Sequence, residues 1–266
     1  MHSAARPLLL PNAWDAATAR IVEQCGFPAI ATTSAGIAFA MGYADGQKIS
    51  LDLMMSAVSR IVQAVQVPVT ADVEAAYGDT PEDASRTARA AIEAGAVGIN
   101  FEDTTSDVTG PLIEIDLQIE RIRAIRQTAS QLGVPLVMNA RTDVYLLEVG
   151  DPAGRYEHSV RRLRAYRDSG ADCVFVPGLR DLQTIGRMVK ELGCPVNVLA
   201  VPGAPSVAEL AAVGVKRISL GSGPMRAALG LVRRMASELR EQGTYSALAE
   251  APPYAEVNKL MSSGKS

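Results

Sequence analysis

Residues 67–103 read VPVTADVEAAYGDTPEDASRTARAAIEAGAVGINFED and predict one complete strand–helix–strand unit. The segment 67–74 is a short apolar strand, and 80–93 opens with Thr-Pro, which is typical of a helix N-cap and first turn. Gly95 is predicted to end that helix directly before a second strand at 96–103. Two strands joined by a helix of this length are typical of parallel pairing.

The same unit recurs along the whole chain. Glycines such as Gly133, Gly170 and Gly214 stand between a predicted helix and the next strand, as in short αβ loops. Strands are predicted at 8–14, 28–34, 67–74, 96–103, 134–143, 171–178, 195–203 and 215–221. Helices are predicted at 15–25, 50–66, 80–93, 116–132, 154–169, 180–192, 206–213 and 224–241, with a loop between the second strand and Ser50.

This alternation predicts an α/β fold with a parallel sheet. Segments such as 173–176 are apolar throughout, which suits strands that are covered on both faces. Eight units in about 250 residues favour a (β/α)8 or TIM barrel. We expect one domain over 1–243 and a C-terminal tail at 244–266. A doubly wound sheet is the alternative, but its glycine-rich dinucleotide motif is missing after the first strand.

Composition argues against several classes of function. Of the 266 residues, 48% are hydrophobic and 21% are charged, and the net charge of −3 gives no electrostatic reason to expect nucleic acid or an anionic membrane as a partner. No apolar run reaches about 18 residues, so no membrane span is predicted. The three cysteines lack metal-type spacing and indicate buried thiols in a reducing cytoplasm. The two histidines, His2 and His158, argue against a zinc site or a histidine base.

Carboxylates cluster at the carboxyl ends of the third and fourth strands, the edge at which barrel active sites lie. Asp72 and Glu74 are two residues apart in a strand, so both point to one face and repel each other unless a cation or a proton lies between them. With Glu102 they can hold Mg²⁺, directly or through its waters, and Arg141 can grip a substrate carboxylate. The alternatives are solvated strand-end carboxylates and an interior salt-bridge layer among Arg141, Glu102 and Asp72.

Six motifs stand at these strand ends. They are Pro-Asn-Ala-Trp-Asp at 11–15, Thr-Ser-Ala-Gly at 33–36, Gly-Tyr-Ala-Asp-Gly at 42–46, Asp-Val-Glu-Ala-Ala-Tyr-Gly at 72–78, Asn-Phe-Glu-Asp at 100–103 and Asn-Ala-Arg-Thr-Asp at 139–143. In this order they resemble the isocitrate lyase/phosphoenolpyruvate mutase superfamily over nearly the whole chain. The resemblance implies a Mg²⁺-dependent barrel that cleaves or forms C–C or P–C bonds next to a 2-oxo acid, through a metal-bound enolpyruvate. It also implies a homo-oligomer, a dimer or more usually a tetramer, in which neighbouring barrels exchange the last helix.

The resemblance further implies roles for individual residues. Asp72 corresponds to the direct metal ligand, with Glu74 and Glu102 in its water shell. Asp45, on the loop after the second strand, corresponds to the catalytic aspartate near the reacting group, alongside Arg141. We expect the substrate to be bound by Thr33, Ser34, Ala35, Gly36, Asn100, Asn139 and Arg141, with residues 34–36 offering backbone N–H groups to an anion.

Three departures from the family pattern narrow the function. Glu74 stands where the family usually has Asp, the loop at 104–110 lacks the cysteine that serves family lyases as general acid, and Pro177 stands in place of a mutase histidine. We predict a Mg²⁺-dependent lyase-type enzyme acting on a small 2-oxo dicarboxylate or a phosphonate analogue. The alternatives are a phosphoenolpyruvate–phosphonopyruvate isomerase and a non-catalytic barrel that binds 2-oxo acids.

Overall fold

Every strand of the sheet is parallel to its neighbours. The computed structural model describes residues 1–2, 4, 6–105 and 112–262. The order around the sheet is β1-β9-β8-β7-β6-β5-β4-β3-β2. These strands are β1 (Leu8–Leu10), β2 (Asn12–Ala13), β3 (Ile30–Thr32), β4 (Val69–Asp72), β5 (Gly98–Glu102), β6 (Val137–Arg141), β7 (Cys173–Phe175), β8 (Val196–Leu199) and β9 (Arg217–Ser219). The predicted α/β architecture is confirmed as a nearly closed parallel barrel of the TIM type.

The first predicted strand is two segments rather than one, because Pro11 has no N–H to donate to a strand ladder. Its first half, β1, pairs with β9, and its second half, β2, pairs with β3, so this strand brings the two ends of the sheet together. The Asn12 side chain holds this seam by donating to the Thr32 carbonyl at 2.7 Å. Its Oδ1 also accepts the N–H groups of Leu220 and Gly221, each at 2.8 Å.

Helices cover the outside of the sheet, and several begin at a side-chain cap. Ser50, Thr80 and Ser206 each accept a backbone N–H of the first helical turn, and the cap predicted at Thr80 is confirmed. The helices are α1 (Ala16–Gln24), α2 (Ser34–Ala40), α3 (Leu51–Ala64), α4 (Pro81–Glu93), α5 (Ile115–Gln131), α6 (Arg155–Asp168), α7 (Leu182–Leu192), α8 (Val207–Ala212), α9 (Gly223–Gln242) and α10 (Tyr254–Ser262). Across the described ranges, none of them combines the length and the apolar character needed to span a bilayer.

Helix α2 contradicts the loop predicted between the second strand and Ser50. Its sequence, SAGIAFA, has no polar face, and its first five residues are all buried. Because hydrophobic periodicity requires polar positions as well as apolar ones, this helix has no 3.6-residue pattern to detect. Thr33 begins the helix, and its Oγ1 accepts the Gly36 N–H at 3.2 Å.

The C-terminal segment packs back onto the barrel. Helix α10 lies within the predicted tail, and Arg20 of α1 donates to the carbonyl of Leu260 at 3.0 Å. Helix α9, predicted at 224–241, leaves the apolar side chains of Leu229, Val232 and Leu239 exposed. The exchange of this helix between subunits remains a prediction.

The apolar core lies between the sheet and the helices. Ile61 of α3, Ile99 of β5 and Ile122 of α5 are fully buried there. Inside the barrel, by contrast, buried polar side chains such as Asn139 and Asn197 line a common cavity. This polar interior surrounds the candidate site.

Candidate functional site

A cavity of about 230 Å³ opens at the carboxyl ends of the strands, the edge at which barrel active sites lie. Strands β2 to β9 and the start of α9 contribute to its lining. The predicted site residues that line it are Thr33, Ser34, Ala35, Asp45, Asp72, Asn100, Asn139 and Arg141. We call this space the main cavity.

A second cavity, of about 200 Å³, shares Ser34, Asp45 and Arg141 with the main cavity. Glu74 and Glu102 line this second cavity. Gly36 lines neither cavity, because it lies in the first turn of α2 with its N–H directed to Thr33. The structure therefore gathers all the predicted site residues except Gly36 around two connected spaces.

Asp72, at the end of β4, is fixed by groups from the start of α2 and from the neighbouring strand β5. Its Oδ2 accepts the Ser34 N–H at 3.0 Å and the Ser34 hydroxyl at 2.7 Å. Its Oδ1 accepts the Asn100 amide at 2.9 Å, and Asn139 donates in turn to Asn100 Oδ1 at 2.8 Å. The Ser34 N–H, which was expected to face a substrate anion, thus orients Asp72 instead.

Glu74 does not lie in the strand, because β4 ends at Asp72. Its backbone is left-handed, with φ of +50°, and Ala76 and Tyr77 follow at +68° and +53°. The prediction that strand alternation points both carboxylates to one face is therefore wrong. The strained turn at residues 74–77 orients the Glu74 side chain instead. Its Oε2 accepts the Gln47 N–H at 2.6 Å, and its Oε1 accepts the Tyr77 hydroxyl at 3.3 Å.

Asp45, Asp72 and Glu74 form an acidic group at the mouth of the barrel. Burial, followed by repulsion from Asp72 and Asp45, raises the pKa of Glu74 from 4.5 to about 7. Partial burial and the charge of Asp72 also raise the pKa of Asp45. In residues 6–105 and 112–262 none of the three forms a salt bridge with lysine or arginine. This uncompensated charge suits a bound cation or a retained proton.

Arg141 is held by two carboxylates. Its Nε and Nη2 donate to Asp143 at 2.6 and 2.8 Å, and its Nη1 lies 2.7 Å from Glu102 Oε2. The salt-bridge layer considered from the sequence therefore exists in part, with Asp143 in the place of Asp72. A guanidinium carries five N–H donors, so two remain for a ligand in the cavities that Arg141 lines.

One guanidinium cannot neutralise two buried carboxylates. Burial raises the pKa of Glu102 well above 4.5, although Arg141 opposes this shift, and burial likewise raises the pKa of Asp143. Burial alone would lower the pKa of Arg141, but Asp143 and Glu102 raise it further than burial lowers it. Arg141 therefore keeps its positive charge at neutral pH.

The predicted metal ligands do not form a three-carboxylate cluster. Across the part of the chain that the structure describes, no three Asp, Glu, His or Cys side chains are placed to hold a metal ion together. Glu102 pairs with Arg141, whereas Asp72 faces the main cavity. Since Mg²⁺ usually takes one or two carboxylates and keeps several waters, Asp72 with Asp45 or Glu74 remains a chemically suitable donor set.

Cysteine chemistry has no carrier at the described part of the site. Cys25, Cys173 and Cys194 are free thiols that line neither cavity, and burial raises the pKa of Cys173 to about 12. Cys25 is exposed and Cys194 is half-buried, so the prediction of three buried thiols is confirmed only for Cys173. The loop at 104–110, where family lyases carry a cysteine, falls largely outside the described residues.

Sequence patterns did not point to the polar floor of the main cavity. Thr70, Asn197, Arg217 and Ser219 line it, and Arg217 is only 3% exposed. A usable signal was present, because Arg217 and Ser219 flank Ile218 in a predicted strand. Residues two apart in a strand share a face, so two polar residues alternating with isoleucine indicate a polar inner face.

Comparison with known sequences matches this chain to one family over most of its length. The model of the family described as Phosphoenolpyruvate phosphomutase matches residues 1–240. An uncharacterized protein of Mycobacterium tuberculosis is 33% identical over 258 residues, which cover 97% of this chain and 93% of that protein. Oxaloacetate decarboxylase 2 of Pseudomonas fluorescens is 26% identical over 239 residues, which cover 87% of this chain and 78% of that enzyme.

Solved structures share the whole barrel. A lyase/mutase-like protein from Burkholderia cenocepacia J2315 has 40% sequence identity and a TM-score of 0.92, over 98% of this chain and 94% of its own. Oxaloacetate acetylhydrolase, solved with its product oxalate, has 26% identity and a TM-score of 0.86, over 98% of this chain and 90% of its own.

Proposed function

The chain belongs to the phosphoenolpyruvate mutase/isocitrate lyase superfamily, and from this premise we propose that it is a Mg²⁺-dependent lyase-type enzyme acting on a small 2-oxo acid. The proposed reaction breaks the C3–C4 bond of a four-carbon 2-oxo dicarboxylate such as oxaloacetate. The C4 carboxylate leaves as CO₂, and the bonding electron pair passes through C3 to the oxo group, which becomes an enolate. Oxaloacetate decarboxylase 2 and oxaloacetate acetylhydrolase, both similar to this chain, support that choice of substrate. Because CO₂ leaves without taking up a proton, this reaction needs no cysteine acid.

The observation that carries the proposal is the acidic group at the mouth, whose charge no lysine or arginine among the described residues pairs with. Ser34 and Asn100 orient Asp72 as the direct ligand of Mg²⁺. When bound, Mg²⁺ would polarise the oxo group and stabilise negative charge that develops on the substrate. Glu74 would contact the water shell of the ion, and Glu102 would do so while paired with Arg141.

Two side chains would handle the substrate itself. Asp143 and Glu102 fix the plane of the Arg141 guanidinium, so its two remaining N–H groups are already oriented to bind a substrate carboxylate. Asp45, whose pKa is raised by partial burial and by Asp72, would in its protonated form donate a proton to C3 after CO₂ leaves, and it would regain that proton from solvent.

Oxaloacetate consumption, followed with Mg²⁺ and with EDTA, tests this proposal. We expect Mg²⁺-dependent turnover that falls by about 100-fold or more in Asp72→Asn, because the ligand charge is lost while the remaining side-chain oxygen can still accept the hydrogen bonds from Ser34. Asp168→Asn is the matched control, since that carboxylate is exposed at the end of α6. Equal turnover in EDTA and in Mg²⁺ would contradict the proposal.

Two other functions have an observation in their favour. The family match over 1–240 favours a phosphoenolpyruvate–phosphonopyruvate isomerase, which phosphorus NMR would reveal as a new phosphonate signal from phosphoenolpyruvate. The lack of a cysteine in the loop at 104–110, while Arg141 still lines the main cavity, favours a non-catalytic 2-oxo-acid-binding barrel. Calorimetric binding of oxalate, with no turnover of either substrate, would support that third function.

We also propose that the protein is a homo-oligomer, a dimer or a tetramer, assembled through α9. The exposed apolar side chains of Leu229, Val232 and Leu239 support this proposal. Light scattering at low concentration measures the mass directly, and a monomer would contradict it.

A further inference from the structure

Arg217 is a buried cation that lacks a partner. Its side chain starts from β9, the residue is 3% exposed, and its Nε has no hydrogen-bond partner. Among the ion pairs of the described residues, none involves Arg217. Buried charges are normally paired, because desolvation without compensation is costly. Arg217 therefore requires an explanation that the protein's own described side chains do not supply.

The guanidinium lies against the main cavity, on the floor beneath the mouth. Arg217 precedes Ser219 by two residues on the same strand face, and both line the cavity. Asn197, its neighbour in register on β8, donates to Ser219 Oγ at 3.2 Å and is 1% exposed. Asp72 is the carboxylate that acts on Arg217 electrostatically, and it stands at the mouth. The cation thus faces the space that a ligand below Asp72 would fill.

Two further polar atoms without partners line the same cavity. They are the Thr70 hydroxyl oxygen and Asn139 Oδ1, both buried. The interiors of such barrels are usually filled by bulky branched side chains, which need no polar occupant. Arg217 Nε and the Thr70 hydroxyl can each donate a hydrogen bond to an anion in this space, whereas Asn139 Oδ1 can only accept one and would need a donor on a ligand or a water.

We propose that Arg217 binds a carboxylate of the substrate inside the barrel, so that the substrate spans from Arg217 to the Asp72–Arg141 end of the main cavity. This inference rests on the proposed function and deepens it, because it selects dicarboxylates over monocarboxylates. Arg217 is then a binding residue that sets specificity, and the planar fork of its guanidinium suits a carboxylate held by two parallel bonds.

The competing explanation is structural, with Arg217 satisfied by ordered waters and needed for folding. The two explanations predict opposite signs for stability. If Arg217 is paired only when an anion is bound, replacing it with methionine removes an uncompensated charge from the anion-free protein, which becomes more stable. If Arg217 is structural, the same replacement destabilises the protein.

The experiment uses the full-length protein in EDTA, with malonate as the dicarboxylate probe. Calorimetry and thermal unfolding compare the wild type with Arg217→Met, Arg217→Lys and Arg226→Met. Arg226 is an exposed cation at the rim of the same cavity, so its variant measures the general effect of positive charge.

We expect Arg217→Met to lose about 10- to 100-fold in malonate affinity, the value of a hydrogen bond to a charged group. Its unfolding temperature without malonate should rise by about 2–4 °C or more. Arg217→Lys keeps the charge but not the fork, and it should lose less affinity. Arg226→Met should bind malonate nearly as the wild type does.

Each of three results would overturn the inference. They are wild-type malonate affinity in Arg217→Met, an equal loss of malonate affinity in Arg226→Met, and a lower unfolding temperature of Arg217→Met without malonate. Every measurement is made without Mg²⁺ and without turnover. If the protein binds malonate through Arg217 but does not consume oxaloacetate, the proposed reaction is therefore wrong while the inference about Arg217 stands.

Discussion

Replacing Glu74 with glutamine should stabilise the metal-free protein, and only at high pH. Glu74 is 4% exposed and stands in the field of Asp72 and Asp45, so ionising it in the folded protein is unfavourable. Glutamine keeps the shape of the side chain and can still accept a hydrogen bond from the Gln47 N–H or from Tyr77. The substitution therefore removes a charge while leaving the turn intact.

The sign and the size of the effect follow from the pKa of Glu74, which is raised from 4.5 to about 7. Between these values the unfolded chain has released the proton and the folded chain has kept it, so stability falls as the pH rises through this window. Above about pH 7 Glu74 is ionised in the folded wild type as well, so the full loss of stability should be present there. At about 1.4 kcal/mol per pH unit, the penalty is about 3 kcal/mol, and Glu74→Gln should escape it.

Urea unfolding in EDTA, followed by circular dichroism at pH 5, 6, 7 and 8, measures this penalty. The difference between Glu74→Gln and the wild type should be small at pH 5 and should grow toward about 3 kcal/mol at pH 8. Glu93→Gln, on the exposed end of α4, is the matched control and should show no such trend. A difference that stays constant from pH 5 to 8 would refute the reasoning.

Two further predictions concern the seam and the arginine clamp. Asn12→Ala should lower the free energy of unfolding, measured by urea titration, by about 2–3 kcal/mol, because the N–H groups of Leu220 and Gly221 lose their acceptor. A change below about 0.5 kcal/mol would contradict the role of Asn12 in closing the barrel. Arg141→Met should lower the free energy of unfolding by about 3–5 kcal/mol, because it leaves Glu102 and Asp143 buried without their cation. An unchanged free energy of unfolding in the same assay would contradict this prediction and would show that the two carboxylates are not ionised together.

Local sequence signals were sufficient for the architecture. Glycine C-caps, Ser and Thr N-caps and short apolar strands depend on residues next to one another, and they placed the strands and most helices correctly. Helix α2 was missed for a physical reason, since a helix buried on nearly all sides shows no amphipathic period. The break at Pro11 was also missed, although a proline inside a predicted strand indicates an interruption.

The location of the candidate site was predictable from the sequence, but its hydrogen bonds and ion pairs were not. Strand ends located Asp72 and Arg141 at the same cavity, because parallel strands deliver their carboxyl ends to one edge. Sequence could not show that Arg141 pairs with Asp143, because both side-chain conformations depend on the closed barrel. Arg217 escaped notice because lysine or arginine in a strand is normally read as an exposed edge, whereas here the residue points inward.

The most direct test of the central claim is a crystal structure of the protein grown with Mg²⁺ and oxalate. We expect a six-coordinate cation with a carboxylate oxygen of Asp72 about 2.0–2.1 Å away, and oxalate oxygens among its other ligands. Oxalate bound without a cation at Asp72, or a cation held by Glu102 and Asp143 instead, would contradict it.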